Sequence, residues 1–217
     1  AVNNCEAARS CDILILSVKP AQIKEVVREI ALLLTNKQTL ISIAAGTRTS
    51  SIENMLDNKT PVIRVMPNTP ALIGKGMAVV SRGQYATRNR ELIALQLFMS
   101  VGKAISLPEK YMDAVTAVSG SGPAYLFYLL ESLAEAGQKA GLPKSISLLL
   151  AGETLSGAAQ MPIISGIDPV QLRKRVTSKG GTTQAAVAVL EQRKFKETLT
   201  LAVLAAKHRS RQISKNI

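Results

Sequence analysis

Asp12-Ile13-Leu14-Ile15-Leu16-Ser17-Val18 is a continuous apolar run that ends on the turn Lys19-Pro20. A run so rich in Ile and Leu suits a β-strand buried on both faces. The sequence around it alternates. Ala21 to Leu34 has helical spacing, with Ile23, Val26, Val27, Ile30, Leu33 and Leu34 on one side. Thr39 to Ala44 reads as a second buried strand. Ser50 to Leu56 is expected to be a short helix, with Ser as N-cap and Glu53 completing a capping box three residues on. Pro61 to Met66 and Met77 to Ser81 are strands, Thr87 to Val101 is a helix, and Lys103 to Leu107 is a last short strand. Strands alternating with helices over short connections predict a mostly parallel sheet covered by helices.

The second half follows a different pattern. Asp113 to Ala140, Ser145 to Met161, Thr182 to Gln192 and Phe195 to Ser214 all read as helices. The first two are apolar almost all round: Leu126, Phe127, Leu129, Leu130, Leu133 and Ala134 cannot all face one core. A domain of about a hundred residues buries too little surface to enclose such helices, so an obligate homo-oligomer is expected. The boundary is placed near Pro108, dividing the chain into residues 1–108, α/β, and 109–217, all-α.

The chain has 217 residues, 27 Lys plus Arg against 15 Asp plus Glu, and a formal net charge of +12. The excess is even, with +6 up to Lys110 and +6 after it, so it is neither a tail nor an arm. Four of the seven aromatics, Tyr111, Tyr125, Phe127 and Tyr128, lie in or beside one apolar stretch. That leaves no stacking platform for nucleic acid, and a small anionic ligand is the natural partner. Cys5 and Cys11 have no second pair, and His208 is the only histidine. No metal site is expected, and two reduced thiols point to the cytoplasm. The longest uncharged run, Ala114 to Leu130, is too short and polar to span a membrane.

Ligands of open parallel sheets sit beyond the carboxyl ends of the strands. Three loops leave such ends: Val18-Lys19-Pro20, Ala44-Ala45-Gly46-Thr47 and Pro67-Asn68-Thr69-Pro70. The small residues allow close backbone approach to a flat ligand, and Lys19 places a cation where a phosphate or carboxylate could lie. A G-x-G-x-x-G turn between strand and helix is missing. Gly120-Ser121-Gly122-Pro123 has a Pro and helical surroundings instead, and reads as small residues permitting close helix approach, with Pro123 at a kink or helix start. Val176-Thr177-Ser178-Lys179-Gly180-Gly181-Thr182-Thr183 precedes a helical run. Two glycines allow successive N–H groups to converge, and the helix adds its unpaired N–H groups and positive end. This is either a carboxylate or phosphate cradle or a Gly-Gly loop with Thr182 as N-cap.

Together, DILILSVKP, ISIAAGT, IRVMPNTP, DAVTAVSGSGPAYLF, EAGQKAGLP, GAAQM and VTSKGGTT resemble the pyrroline-5-carboxylate reductases, in family order and across nearly the whole chain. The resemblance implies a Rossmann-like domain followed by a helical domain that interleaves with a second subunit. The implied assembly is a homodimer through the C-terminal helices, or an oligomer of such dimers. It implies reduction of 1-pyrroline-5-carboxylate to L-proline with NADPH or NADH. Val18, Lys19, Pro20, Ala44 and Ala45 would border the nicotinamide end of the cofactor, and Asn4 its adenosine part. Ser178, Gly180, Gly181, Thr182 and Thr183 would hold the substrate carboxylate, with Thr183 near the ring nitrogen as the catalytic residue. Thr183 or water would supply the proton.

Two departures stand out. Lys179 occupies a position where the family usually has Pro, which should loosen the loop. The first strand, glycine turn and following elements are also missing, and the chain opens on Ala1 without Met, so a piece of a longer protein is expected. A related imine or keto-acid reductase of the same architecture is the alternative function. A basic nucleic-acid-binding protein is a more distant one.

Overall fold

A computed structural model describes residues 1–215; the last two residues of the expected second domain lie outside them. A helix not expected from the sequence comes first. This helix, α1 (Asn4–Arg9), is capped by Asn3, whose Oδ1 accepts the Glu6 N–H at 2.9 Å. Then follow β1 (Ile13–Leu16), a 3-10 turn (Pro20–Gln22), α2 (Ile23–Ile30), β2 (Thr39–Ser42), α3 (Thr49–Glu53) and β3 (Val62–Met66). β4 (Gly76–Arg82), α4 (Arg88–Met99) and β5 (Gly102–Ser106) complete the alternating half.

The five strands form one sheet in chain order. β1, β2 and β3 are parallel, as are β4 and β5, and β3 and β4 pair antiparallel. The mostly parallel sheet is therefore as expected, with one reversal. Alternation along the strands divides the core in two. Leu16, Leu40 and Val62 pack with Ile23, Val27 and Ile30 of α2 and Ile52 of α3. Ile41, Ile63, Val65, Ala78 and Val80 pack on the other face with Ala94 and Leu95 of α4. Covering both faces explains the apolar runs of β2 and β3, whereas β1, expected to be buried on both faces, lies at the edge of the sheet and leaves Ile15 exposed. Full burial of one Ile or Leu contributes about 1.5–3 kcal/mol.

The helix at 50–56 is built differently from the expected capping box. It begins at Thr49 and has no side-chain cap of its own. Glu109 supplies the acceptors from sixty residues away: Oε1 receives the Thr49 N–H at 2.9 Å, and Oε2 the Thr49 hydroxyl at 2.7 Å. Glu53 instead turns to the Tyr85 N–H at 3.4 Å.

In the second half, the single helix expected from Asp113 to Ala140 is interrupted. α5 (Met112–Val115) runs into one π-helical turn (Thr116–Gly120), and α6 (Gly122–Lys139) starts anew. Pro123 lies in the first turn of α6, where a missing N–H costs nothing. Gly120 lies against Met66 rather than another helix: a Cβ there would stand 2.4 Å from Met66 Cε. α7 (Lys144–Ser165), α8 (Pro169–Arg175), α9 (Thr182–Gln192) and α10 (Phe195–Lys215) complete the chain. α8 was not expected from the sequence; Asp168 caps it by accepting the Val170 N–H at 2.8 Å.

Compactness separates residues 124–202 from a unit made of Ala1–Pro123 together with the chain from Val203 onward. In this division Glu109, which holds Thr49, and the fully buried Met112 lie in the same unit as the sheet. Within 124–202, small residues fill the α6–α7 crossing. Ser147 donates to the Ala134 carbonyl at 2.6 Å, and Ala134 and Ala151 are buried. The large residues face outward: Leu126, Phe127, Tyr128, Leu149, Ile163 and Ile164 are all more than half exposed. No helix of the described residues is long and apolar enough to cross a membrane.

Candidate active site

The parallel register sets Leu16 beside Ser42 and Ser42 beside Arg64, so β1, β2 and β3 release their loops from one edge of the sheet. Val18, Lys19 and Pro20 follow β1. The Lys19 N–H is held by Gln22 Oε1 at 3.3 Å, and the Gln22 N–H returns to the Lys19 carbonyl at 2.9 Å. The Lys19 side chain is exposed, while Val18 and Pro20 are half-buried. Beside them the second loop continues the ladder by one bond, from the Ile43 N–H to the Leu16 carbonyl at 3.2 Å. It then turns through Ala44, Ala45 and Gly46. Gly46 has φ +74°, a left-handed conformation that favours glycine. Ala44 is buried and Ala45 half-buried, so this turn offers only methyl groups and backbone. Thr47 follows, fully buried, with its hydroxyl oxygen unpartnered.

The third loop is pinned by Asn68. Its side-chain N–H donates to the Ser119 carbonyl at 3.0 Å, and its Oδ1 accepts the Met77 N–H at 2.8 Å. Asn4 opens α1 and donates its side-chain amide to Glu29 Oε2 on α2 at 2.8 Å.

Sequence reading passed over Arg64 on β3. Its guanidinium is almost wholly buried and meets Glu109 Oε1 at 3.3 Å, while Nη2 is buried without a partner. Burial pushes its pKa below the usual value, and the Glu109 carboxylate pulls it back. Only the partial break in the apolar alternation of IRVM hinted at this residue.

The glycine loop belongs to the other compact unit. Gly181 is the N-cap of α9, with φ −82° and ψ 168°, and no side chain caps the helix. The alternative with Thr182 as N-cap is thereby corrected: Thr182 and Thr183 are the first two helical residues. Their N–H groups have no intrahelical acceptor, and the positive end of the helix adds to them. Gly180 is left-handed at φ +75°. A Cβ on Gly181 would stand 2.5 Å from Ser178 Oγ, so only glycine lets Ser178 lie this close. The turn closes through the Gly181 N–H and the Ser178 carbonyl at 3.1 Å. Gln184, not singled out in the sequence, reaches back to accept the Gly180 N–H at 2.6 Å. Ser178, Lys179 and Thr182 are exposed and Thr183 is half-buried. The arrangement is a shallow anion cradle of backbone N–H groups flanked by hydroxyls.

Residues 109–213 match the family model described as pyrroline-5-carboxylate reductase dimerisation, and residues 1–46 match one described as NADP oxidoreductase coenzyme F420-dependent. A pyrroline-5-carboxylate reductase of Glycine max is 46% identical over 98% of this chain and 77% of its own length. The chain belongs to the pyrroline-5-carboxylate reductase family. One from Pseudomonas aeruginosa is 40% identical over 99% of this chain and 79% of its own. The crystal structure of a Plasmodium falciparum pyrroline carboxylate reductase with NADP bound superposes with a TM-score of 0.93. It is 34% identical and covers 99% of this chain and 81% of that one. The family carries the expected architecture, a Rossmann-like portion followed by a helical dimerisation portion.

Proposed function

We propose that this protein reduces 1-pyrroline-5-carboxylate to L-proline with NADPH or NADH. The observation that carries the proposal is the uncapped, glycine-led start of α9, which suits the carboxylate of a small cyclic substrate. The free N–H groups of Thr182 and Thr183 receive the carboxylate, with the Ser178 and Thr182 hydroxyls beside them; the left-handed Gly180 shapes the loop, its own N–H being held by Gln184. The Thr183 hydroxyl holds the ring nitrogen by a hydrogen bond as the imine becomes an amine. Hydride from the bound cofactor would form the C–H bond and a proton from Thr183 or water the N–H bond, as the C=N double bond becomes single. No covalent nucleophile is needed, because positioning and the cofactor supply the chemistry.

The strand-end loops fit the nicotinamide end of such a cofactor. Ala44 and Ala45 offer a surface without bulk, and the unpartnered Thr47 hydroxyl lies in the same turn. Val18, Lys19 and Pro20 would flank it, and Asn4 would serve the adenosine part. When bound, the cofactor supplies the hydride.

We assign dinucleotide binding to residues 1–108 and dimerisation with substrate binding to 109–217. The exposed apolar faces of α6 and α7 support a homodimer through these helices. The two free cysteines, Cys5 and Cys11, fit a cytoplasmic enzyme. The test is NAD(P)H oxidation by the full-length protein with pyrroline-5-carboxylate set against simple 2-keto acids. Preference for the cyclic imine is expected; preference for a keto acid overturns the proposal.

A further inference from the structure

The last turns of α10 are packed on the turn proposed to face the cofactor. Ser214 is buried and donates its hydroxyl to the Gly46 carbonyl, with the Ser210 carbonyl of its own helix 3.2 Å away. Ile213 lies directly against Gly46: a Cβ on that glycine would stand 2.8 Å from Ile213 Cγ2 and 3.1 Å from the Ser210 carbonyl oxygen. One helical turn earlier, the buried Ser210 donates to Asp113 Oδ1 at 2.7 Å, and Arg211 Nε lies 3.7 Å from Asp113 Oδ2. The end of the helix is thus anchored on α5 and presses on the left-handed residue that sets the path of Ala44 and Ala45. These residues all belong to one compact unit.

We propose that Ser214 and Ile213 are positioning residues for the cofactor, acting through Gly46. The turn is held at its start by the buried Ala44 and by long bonds, Ala44 N–H to Ser42 Oγ and Thr47 N–H to the Ala44 carbonyl, both at 3.4 Å, while the Gly46 carbonyl is held from α10. The Ser214 hydrogen bond fixes that carbonyl, and Ile213 blocks the turn's movement towards the helix. With the clamp in place, the Ala44-Ala45 surface is ready before the nicotinamide arrives, which lowers the ordering cost of binding. The proposal rests on the reading that Ala44 and Ala45 border the nicotinamide.

The test measures NADPH affinity by the coenzyme's own fluorescence, in the full-length protein with no imine present, so it does not depend on which substrate is reduced. Ser214→Ala should weaken NADPH about fivefold, the scale of one net hydrogen bond. Ser214→Thr, which keeps the hydroxyl, should restore it. Ile213→Ala, which keeps the hydrogen bond and empties the space beside Gly46, should weaken NADPH in the same direction. With NADPH saturating, KM for pyrroline-5-carboxylate should stay within about twofold in Ser214→Ala, a split that general loss of structure would not produce. Unchanged NADPH affinity in both alanine variants, or failure of Ser214→Thr to restore it, overturns the proposal. A protein that binds NADPH as described but leaves the imine unreduced would support the clamp and refute the proposed substrate.

Discussion

Glu109→Ala should lower stability by about 3 kcal/mol, because it strands a buried cation. The Arg64 side chain is only 4% exposed, and Glu109 is the one carboxylate bridging it among the described residues. Removing one partner of a buried pair costs about 3–5 kcal/mol, mostly the penalty of leaving the other charge uncompensated. Glu109 is itself 25% exposed, so water can partly replace it, which favours the lower end of that range. The same substitution removes both acceptors of Thr49, at the start of α3. At 2–4 °C per kcal/mol for a chain of about this size, the melting temperature should fall by about 6–12 °C. Arg64→Met alone should cost about 1 kcal/mol, since Glu109 keeps Thr49 and its access to water. The double variant should then cost about 2 kcal/mol, well below the sum of the two, because the stranded charge is gone. Thermal and urea melts at one fixed protomer concentration measure all four proteins. A Glu109→Ala variant within about 0.5 kcal/mol of the parent, or a strictly additive double variant, would refute the reasoning.

Thr183→Ala should reduce NAD(P)H oxidation with pyrroline-5-carboxylate about tenfold or more, the scale of one lost positioned hydrogen bond; an unchanged steady-state rate removes Thr183 from the mechanism. At micromolar concentration the protein should scatter light as a dimer or larger particle, and a stable monomer would sink the argument from the exposed faces of α6 and α7. Glu91 supplies a pH dependence. Burial raises its carboxyl pKa, but hydrogen bonds from Ser106 and Arg88 and the charges of Arg88 and Arg82 outweigh that and hold it below the usual carboxylate range. A depressed carboxylate contributes stability that is present above its unfolded pKa and lost as pH falls through its folded one. Between about pH 5 and pH 3 the parent protein should therefore lose more stability than Glu91→Gln; equal losses in paired melts would count against this account.

The features legible in the residues alone are local and periodic. TLISIA and PVIRVM announce strands covered on both faces, because a strand without a wet face needs no polar alternation; DILILSV announces a strand too, but its place at the sheet edge leaves Ile15 exposed. The Gly180-Gly181 pair announces a loop with unusual backbone freedom, and the structure uses it through the left-handed Gly180 and the close Ser178–Gly181 approach. Apolar residues all round α6 and α7 announce a missing partner, and those side chains do stand exposed in the single chain. Short polar helices are harder to read: α1 and α8 rest on Asn3 and Asp168 as caps and carry little apolar periodicity.

Long-range decisions belong to the tertiary structure. Ser50 and Glu53 match a capping box, yet Glu109 supplies the acceptors, because the buried Arg64 draws that carboxylate to the start of α3. The helix expected from Asp113 is interrupted by the π-helical turn that ends at Gly120, where the Met66 side-chain tip packs against the bare backbone. Nothing near Ala44-Ala45-Gly46 in the sequence hints that Ser214, 168 positions away, would hold its backbone. Periodicity and turn chemistry are properties of neighbouring residues, so the sequence by itself determined the strands, most of the helices and the loops able to hold a ligand. Which polar group satisfies which, and what holds the alanine turn, depends on residues brought together only when the sheet is covered, and the tertiary structure alone decided it.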